Sequence, residues 1–195
     1  MDYQCLSKGG EKMNIQRIRR KIQNDSARQE SIKEQKKYYA VENDILSHGV
    51  KPKEYSKDPL RNADNRIPHN FHQLLVDEKA SYMFTYPVLF DIENDEELTS
   101  KVSKILGDDI TRKSKNLCIE SSNVGNAWLH YWIKENSENG KAEFKYELVD
   151  TEEVIAIYDN GLERTLQSII RYYSVKEEVE GKLEDQVFCY IEYWT

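Results

Sequence analysis

The sequence predicts an α+β protein, with N-terminal helices followed by an antiparallel β-sheet region. Two observations carry that prediction. Apolar residues recur at helical spacing as far as Cys118, then switch to a period of two from Ala127 to the C-terminus. The punctuation changes with them, from helix stops such as Pro87 and Gly107 to turn clusters such as 136–140 and Asp159-Asn160-Gly161. At 195 residues the chain fits one domain, or one domain with an appendage, and can bury a real core.

Taken in order, residues 1–10 carry Gly9-Gly10 and little pattern and are expected to be a disordered leader. From Glu11 to about Tyr39 the composition favours helix, with Ile15, Ile18 and Ile22 on one face of a thin amphipathic arm. A turn over Asp44–Pro52 and a polar connector reaching Asn62, containing Pro52 and Pro59, close this segment, so 11–62 forms a helical arm and connector. The remaining 63–195 forms the α+β domain, with helices over 63–122 and strands over 123–195.

The helix from Asn65 to Tyr86 is the most informative element. At about 100° per residue, Phe71, Leu74, Leu75 and Tyr82 form one stripe, and Val76, Ala80, Met83 and Phe84 form a second, nearly opposite stripe. Asp64 or Asn65 is the expected cap, Pro68 falls in the first turn, and Pro87 ends the helix by disfavouring helical geometry at Tyr86. A helix covered on two sides belongs to a layered core or to an assembly. It is expected to pack against the strand region 124–134.

Asn94 with Glu97 three residues later reads as a capping box for the next helix, which carries Leu98, Val102, Ile105 and Leu106 and stops at Gly107. Another helix runs from about Asp108 to Ser121. In the strand Val124–Lys134, Ala127, Leu129, Tyr131 and Ile133 alternate with Trp128, His130 and Trp132, so both faces are apolar. Ala142 to Leu148 returns, and Val154–Tyr158, Leu166–Val175 and Val187–Trp194 supply three more strands, the last two joined by a charged tip around Gly181. No closing element follows Trp194, and the domain reads as cut short at its C-terminus.

Composition excludes several functions. Charged residues make up 32% and hydrophobic ones 38%, with a mean hydropathy of −0.80, and no apolar run approaches the roughly 20 residues that span a bilayer. Neither a membrane role nor export is expected. Three scattered cysteines, Cys5, Cys118 and Cys189, read as free thiols in a reducing compartment. The net charge is −7, but Arg17, Arg19, Arg20, Lys21 and Arg28 cluster near the start. A solvated helical face is the ordinary use of so short a basic run, although it has the charge to touch nucleic acid.

The chemistry-bearing motifs are missing. His69 and His72 lie three apart, but neither Asp77 nor Glu78 shares their face, so no metal is expected. The eight glycines form neither a P-loop nor a dinucleotide fingerprint. Acid pairs such as Asp108-Asp109 and Glu152-Glu153 are adjacent and point apart. Cys118 has no obvious base. No catalytic residue and no cofactor is expected. Trp128, Trp132, Tyr172, Tyr173, Tyr190 and Tyr193 suit a core or a subunit interface better than a base-stacking platform, because acidic residues are as common beside them as cations.

Four blocks in order resemble a known family. Tyr38-Tyr39 precedes Asp44-Ile45-Leu46, and then come Asn65–Phe71 and the helix bearing Val76-Asp77-Glu78-Lys79-Ala80-Ser81-Tyr82. Further on stand Gly125-Asn126-Ala127-Trp128, Val154-Ile155-Ala156-Ile157-Tyr158-Asp159, and the aromatic strands Ile169–Tyr173 and Tyr190–Thr195. This order is similar to the start of tailed-bacteriophage portal proteins of the siphophage and prophage family from Gram-positive hosts. The exit Thr85-Tyr86-Pro87 keeps only the proline of the family's Gly-Lys-Pro-like turn.

The resemblance implies the N-terminal arm and wing of a structural, non-enzymatic subunit. The full-length protein would form a ring homo-oligomer, a dodecamer, at the capsid vertex of the virion, having assembled in the host cytoplasm. Its implied partners are further copies of itself, terminase, scaffold or capsid proteins, head–tail connector proteins, and double-stranded DNA that passes through without sequence-specific binding. Phe71, Leu75, Val76, Asp77, Tyr82, Met83, Trp128 and Trp132 are the candidate core or interface residues. Two other readings stand beside this one: a free-standing α+β protein-interaction module, and a nucleic-acid-processing enzyme built on His69 and His72.

Overall fold

The computed structural model describes residues 3–8, 14–46, 66–93, 95–135, 142–177 and 186–194. Its elements run β1 (Tyr3–Lys8), α1 (Ile15–Gln23), α2 (Ser26–Tyr39), a 3-10 turn (Asp44–Leu46), α3 (Phe71–Met83), α4 (Glu96–Leu106), α5 (Asp109–Val124), β2 (Trp128–Glu135), β3 (Ala142–Val149), a 3-10 turn (Thr151–Glu153), β4 (Val154–Tyr158), β5 (Leu166–Glu177) and β6 (Gln186–Trp194). The α+β class is therefore as the sequence predicts. The connector 47–65, the turn 136–141 and the charged tip 178–185 lie outside the described residues. The chain divides into two units, one comprising Met1–Ser31, Trp128–His130 and Leu148–Thr195, the other Ile32–Ala127 and Tyr131–Glu147.

The first unit is built on a four-stranded sheet ordered β1-β6-β5-β4. The β4-β5 and β5-β6 pairs are antiparallel, while β1 runs parallel to β6 with Tyr3 opposite Cys189 and Lys8 opposite Trp194. The expected leader without structure thus contains a strand over 3–8, and the sheet is mixed. Ile170 lies opposite Tyr193, and Tyr172 opposite Ile191, so all four share one face of the pleat. Ile18 of α1 packs there, buried with Ile170, Ile191 and Tyr193, and Ile22, Ile155 and Ile157 surround them. The arm's isoleucine stripe supplies one wall of a core.

The arm is two helices instead of one. Asn14 caps α1 by accepting the Gln16 N–H at 2.9 Å. At the break, the Asp25 N–H donates to the Ile22 carbonyl at 3.2 Å, and the Asp25 carbonyl accepts the Gln29 N–H at 3.0 Å. Asn24, Asp25 and Ser26, short polar residues of low helix propensity, occupy the break, and the Asp25 carboxylate there accepts from the Arg28 guanidinium.

The second unit contains α3, α4, α5 and the greater part of the β2-β3 hairpin. α3 starts six residues later than expected, because Pro68 biases Ile67 away from helical geometry and the His69 carbonyl accepts from the Asn43 side chain at 2.9 Å. Its cap position is Asn70, whose side chain makes no capping bond. At the far end the Thr85 hydroxyl donates to the Ser81 and Tyr82 carbonyls, each at 3.0 Å. Asp95 caps α4, accepting the Leu98 N–H at 2.8 Å, while Asn94, the expected cap, lies outside the described residues. α5 continues to Val124, which the period-two reading assigned to a strand, and ends at Gly125 with φ of 85°.

Candidate functional site

Helix α3 resolves its two apolar stripes in opposite ways. Val76 and Ala80 are 5% and 0% exposed, and α3 packs chiefly on α5. Its chief partner is thus a helix, which extends through Val124, the first residue of the expected strand partner. The other stripe faces outward, with Phe71 65%, Leu75 66% and Tyr82 85% exposed. Met83, placed with the buried stripe by periodicity, is 59% exposed, because it occupies the last turn, where its sulfur meets the Cys118 thiol at 3.6 Å.

Polar contacts fix the rotation of α3. The Tyr39 hydroxyl donates to the Asp77 carboxylate at 2.7 Å, and its ring meets His72 edge-on at 6.5 Å. His72 Nε2 lies 2.7 Å from the side-chain oxygen of Asn123, a buried polar residue on α5. Burial first, and the Asp77 hydrogen bond second, push the Tyr39 phenol up to about 12. Lys36 of α2 stands 3.5 Å from Glu120 of α5, and Lys115 donates to the Ser81 hydroxyl at 3.2 Å. Asp77 is thus a structural acceptor, and His72 is held by a hydrogen bond and a ring contact. His69 stacks on Phe71 at 5.3 Å. Among the described residues no three His, Cys, Asp or Glu side chains converge as metal ligands, and no described helix is long and apolar enough to cross a membrane.

The tryptophans separate. Trp128 is half-buried at the start of β2 and Trp132 is 39% exposed further along it. Beside them on the hairpin, Tyr131 stacks on Phe144 at 6.0 Å. Tyr146 is buried, its hydroxyl donating to the Leu106 carbonyl. Lys113 donates to the Tyr146 carbonyl at 2.7 Å while lying 4.4 Å from the ring centre.

In the first unit a polar cluster ties the helical break to the sheet. Arg28 is ion-paired with Asp25 and donates to the Thr151 carbonyl at 3.1 Å. Gln29 donates to the Glu152 carbonyl at 3.3 Å and to the Tyr172 hydroxyl. Burial, then the nearby Asp25 charge, raise the Tyr172 phenol to about 12. On the opposite face of the sheet, Arg171 bridges Glu153 at 2.9 Å and Glu192 at 3.5 Å and lies 4.2 Å from the Tyr173 ring centre. These arrangements hold structure. The geometry presents an outward apolar helix face, fixed in direction by a buried one.

The profile of the family described as Phage portal protein, SPP1 Gp6-like, matches residues 18–195. The chain belongs to that phage portal family. It is 54% identical over 186 residues to the portal protein of Clostridium phage phiCD119, covering 94% of this chain and 41% of that protein. It is also 31% identical over 145 residues to the portal protein of Bacillus phage SPP1, covering 72% of this chain and 27% of that one. This portal-family chain therefore spans about two fifths or less of the length of the curated relatives it matches.

Within that portal-family sequence, the block order from Tyr38-Tyr39 to the aromatic strands was legible. Tyr39 stands in the sequence only as part of that block, and neither its bond to Asp77 nor that of Asn123 to His72 was legible. An aromatic pair closing a helix was the available signal for Tyr39. Asn123, lying in a Ser-Ser-Asn run, offered none.

Proposed function

We propose that the chain is the arm (11–62) and wing-like (63–195) part of a portal subunit, a non-enzymatic component of a homo-oligomeric ring at the capsid vertex. In the full-length protein that ring is a dodecamer through which double-stranded DNA passes without sequence-specific binding. Terminase, scaffold or capsid, and head–tail connector proteins dock on it in the virion, after assembly in the host cytoplasm. Family membership supports this reading, and the outward stripe of α3 gives it a surface. Phe71, Leu75 and Tyr82 offer a fixed apolar patch to another copy, of the kind that marks protein contacts. Val76 and Asp77 serve the fold beneath it.

Light scattering on the complete gene product tests the proposal. A ring-sized oligomer is expected, and a species that stays monomeric across concentration would overturn it in favour of a free-standing interaction module.

A further inference from the structure

The loop between β4 and β5 carries chemistry that neither the fold nor the portal reading uses. It begins Asp159-Asn160-Gly161-Leu162 and ends at Thr165. Its two ends are clamped together, because the Asp159 N–H donates to the Thr165 carbonyl and the Thr165 N–H donates to the Asp159 carboxylate, each at 3.0 Å. Between the clamped ends, Asn160 and Gly161 are exposed.

Among the described residues Asn160 is the only asparagine followed by glycine. A bond from the Gly161 backbone nitrogen to Asn160 Cγ would close a five-membered ring, and Gly161 has no Cβ to obstruct the closure. Such proximity makes the attack intramolecular. An amide N–H is a poor nucleophile until its proton is drawn away, and the Asp159 carboxylate oxygen that holds Thr165 also accepts the Gly161 N–H, at 3.2 Å. A base therefore already sits on the proton that must leave.

We infer that Asn160 is a site of spontaneous deamidation, with the Asp159 carboxylate as its base. The Gly161 nitrogen bonds to Asn160 Cγ as its proton passes to Asp159. The Cγ–Nδ2 bond then breaks, and the side-chain nitrogen leaves as ammonia, taking that proton back from Asp159. One solvent water opens the resulting succinimide at either carbonyl, giving aspartate or, where the main chain is rerouted through the side chain, isoaspartate. Water enters and ammonia leaves, with no change of oxidation state. The product adds a negative charge to a loop that already holds Asp159 and Glu163, and isoaspartate also lengthens the main chain by one carbon. Because the clamp between Asp159 and Thr165 flanks the altered bond, the change stays within the loop and the β4-β5 ladder is kept.

Site-resolved peptide mass spectrometry of the full chain, incubated over weeks in neutral buffer, tests this. Asn160 should convert to the acid, with isoaspartate among the products. Asp159→Asn keeps an oxygen acceptor for both N–H groups but lacks the base, so it should slow the conversion by about tenfold or more and make the rate rise more steeply with pH. Gly161→Ala, whose Cβ would meet the Asp159 carboxylate at 3.4 Å, should lose most of the conversion. Circular dichroism verifies that both variants fold. The second Asn-Gly pair of the sequence, Asn139-Gly140, lies outside the described residues and serves as the reference in the same digest. An Asn160 that stays intact, an unchanged rate in Asp159→Asn or in Gly161→Ala, or a slowing in Asp159→Asn that Asn139 shares equally would each overturn the proposal.

Discussion

Tyr172 shows how one side chain can join segments far apart in the sequence. Its ring belongs to the shell around Ile18, Ile170 and Ile191, while its hydroxyl meets Gln29 and stands 3.5 Å from Asp25. Burial and the Asp25 charge favour the neutral phenol, raising it from 10.0 to about 12. The unfolded chain then loses its proton before the folded one. Stability from this group is complete below about pH 10 and disappears as pH rises towards about 12. Chemical denaturation between neutrality and pH 12 should show that decline, and Tyr172→Phe should reduce it, with the other raised phenols, Tyr39, Tyr173, Tyr38 and Tyr190, responsible for what remains. Ile170, fully buried in the same shell, should lose roughly 2–5 kcal/mol as Ile170→Ala in the same assay.

At the scale of elements, the boundaries turn on caps that the sequence shows only as short polar residues. The expected capping box paired Asn94 with Glu97, yet Asp95 supplies the cap and Glu97 forms an exposed pair with Lys101 at 2.6 Å. Both residues fit the cap preference, and sequence spacing alone does not separate neighbours. Asp95→Ala should destabilise the protein by about 1 kcal/mol in urea unfolding. Gly125 is the sharper case, because its φ of 85° ends α5 and turns the chain towards β2. A Cβ added there meets nothing within 4 Å. Gly125→Ala should therefore cost only the left-handed strain, about 1–2 kcal/mol by thermal or urea unfolding, with no rearrangement of neighbours. Alternation around Trp128 was readable. The strand's first residue was not, since Val124 satisfies either period.

At the scale of the whole molecule, the portal reading makes the two stripes of α3 separable. Val76→Asp puts an unpaired charge where the side chain is 5% exposed and should abolish folding, seen as loss of the cooperative unfolding transition. Leu75→Asp changes a residue that is 66% exposed. It should leave the unfolding midpoint nearly unchanged while reducing ring assembly in light scattering. If Leu75→Asp assembles normally, the subunit contact lies elsewhere.

By itself the sequence determined the order of helices and strands, the existence of two apolar faces on α3, and the ordered blocks that place the chain among phage portal proteins. These are local or linear properties, set by side-chain period, turn residues and block order. The tertiary structure decided which α3 face is covered, that Ile18 pairs with Ile170 and Ile191, and that residues 3–8 join the β6 edge. A helical period counts the faces of a helix. What lies against each face depends on residues up to about 170 positions away, brought there by the fold.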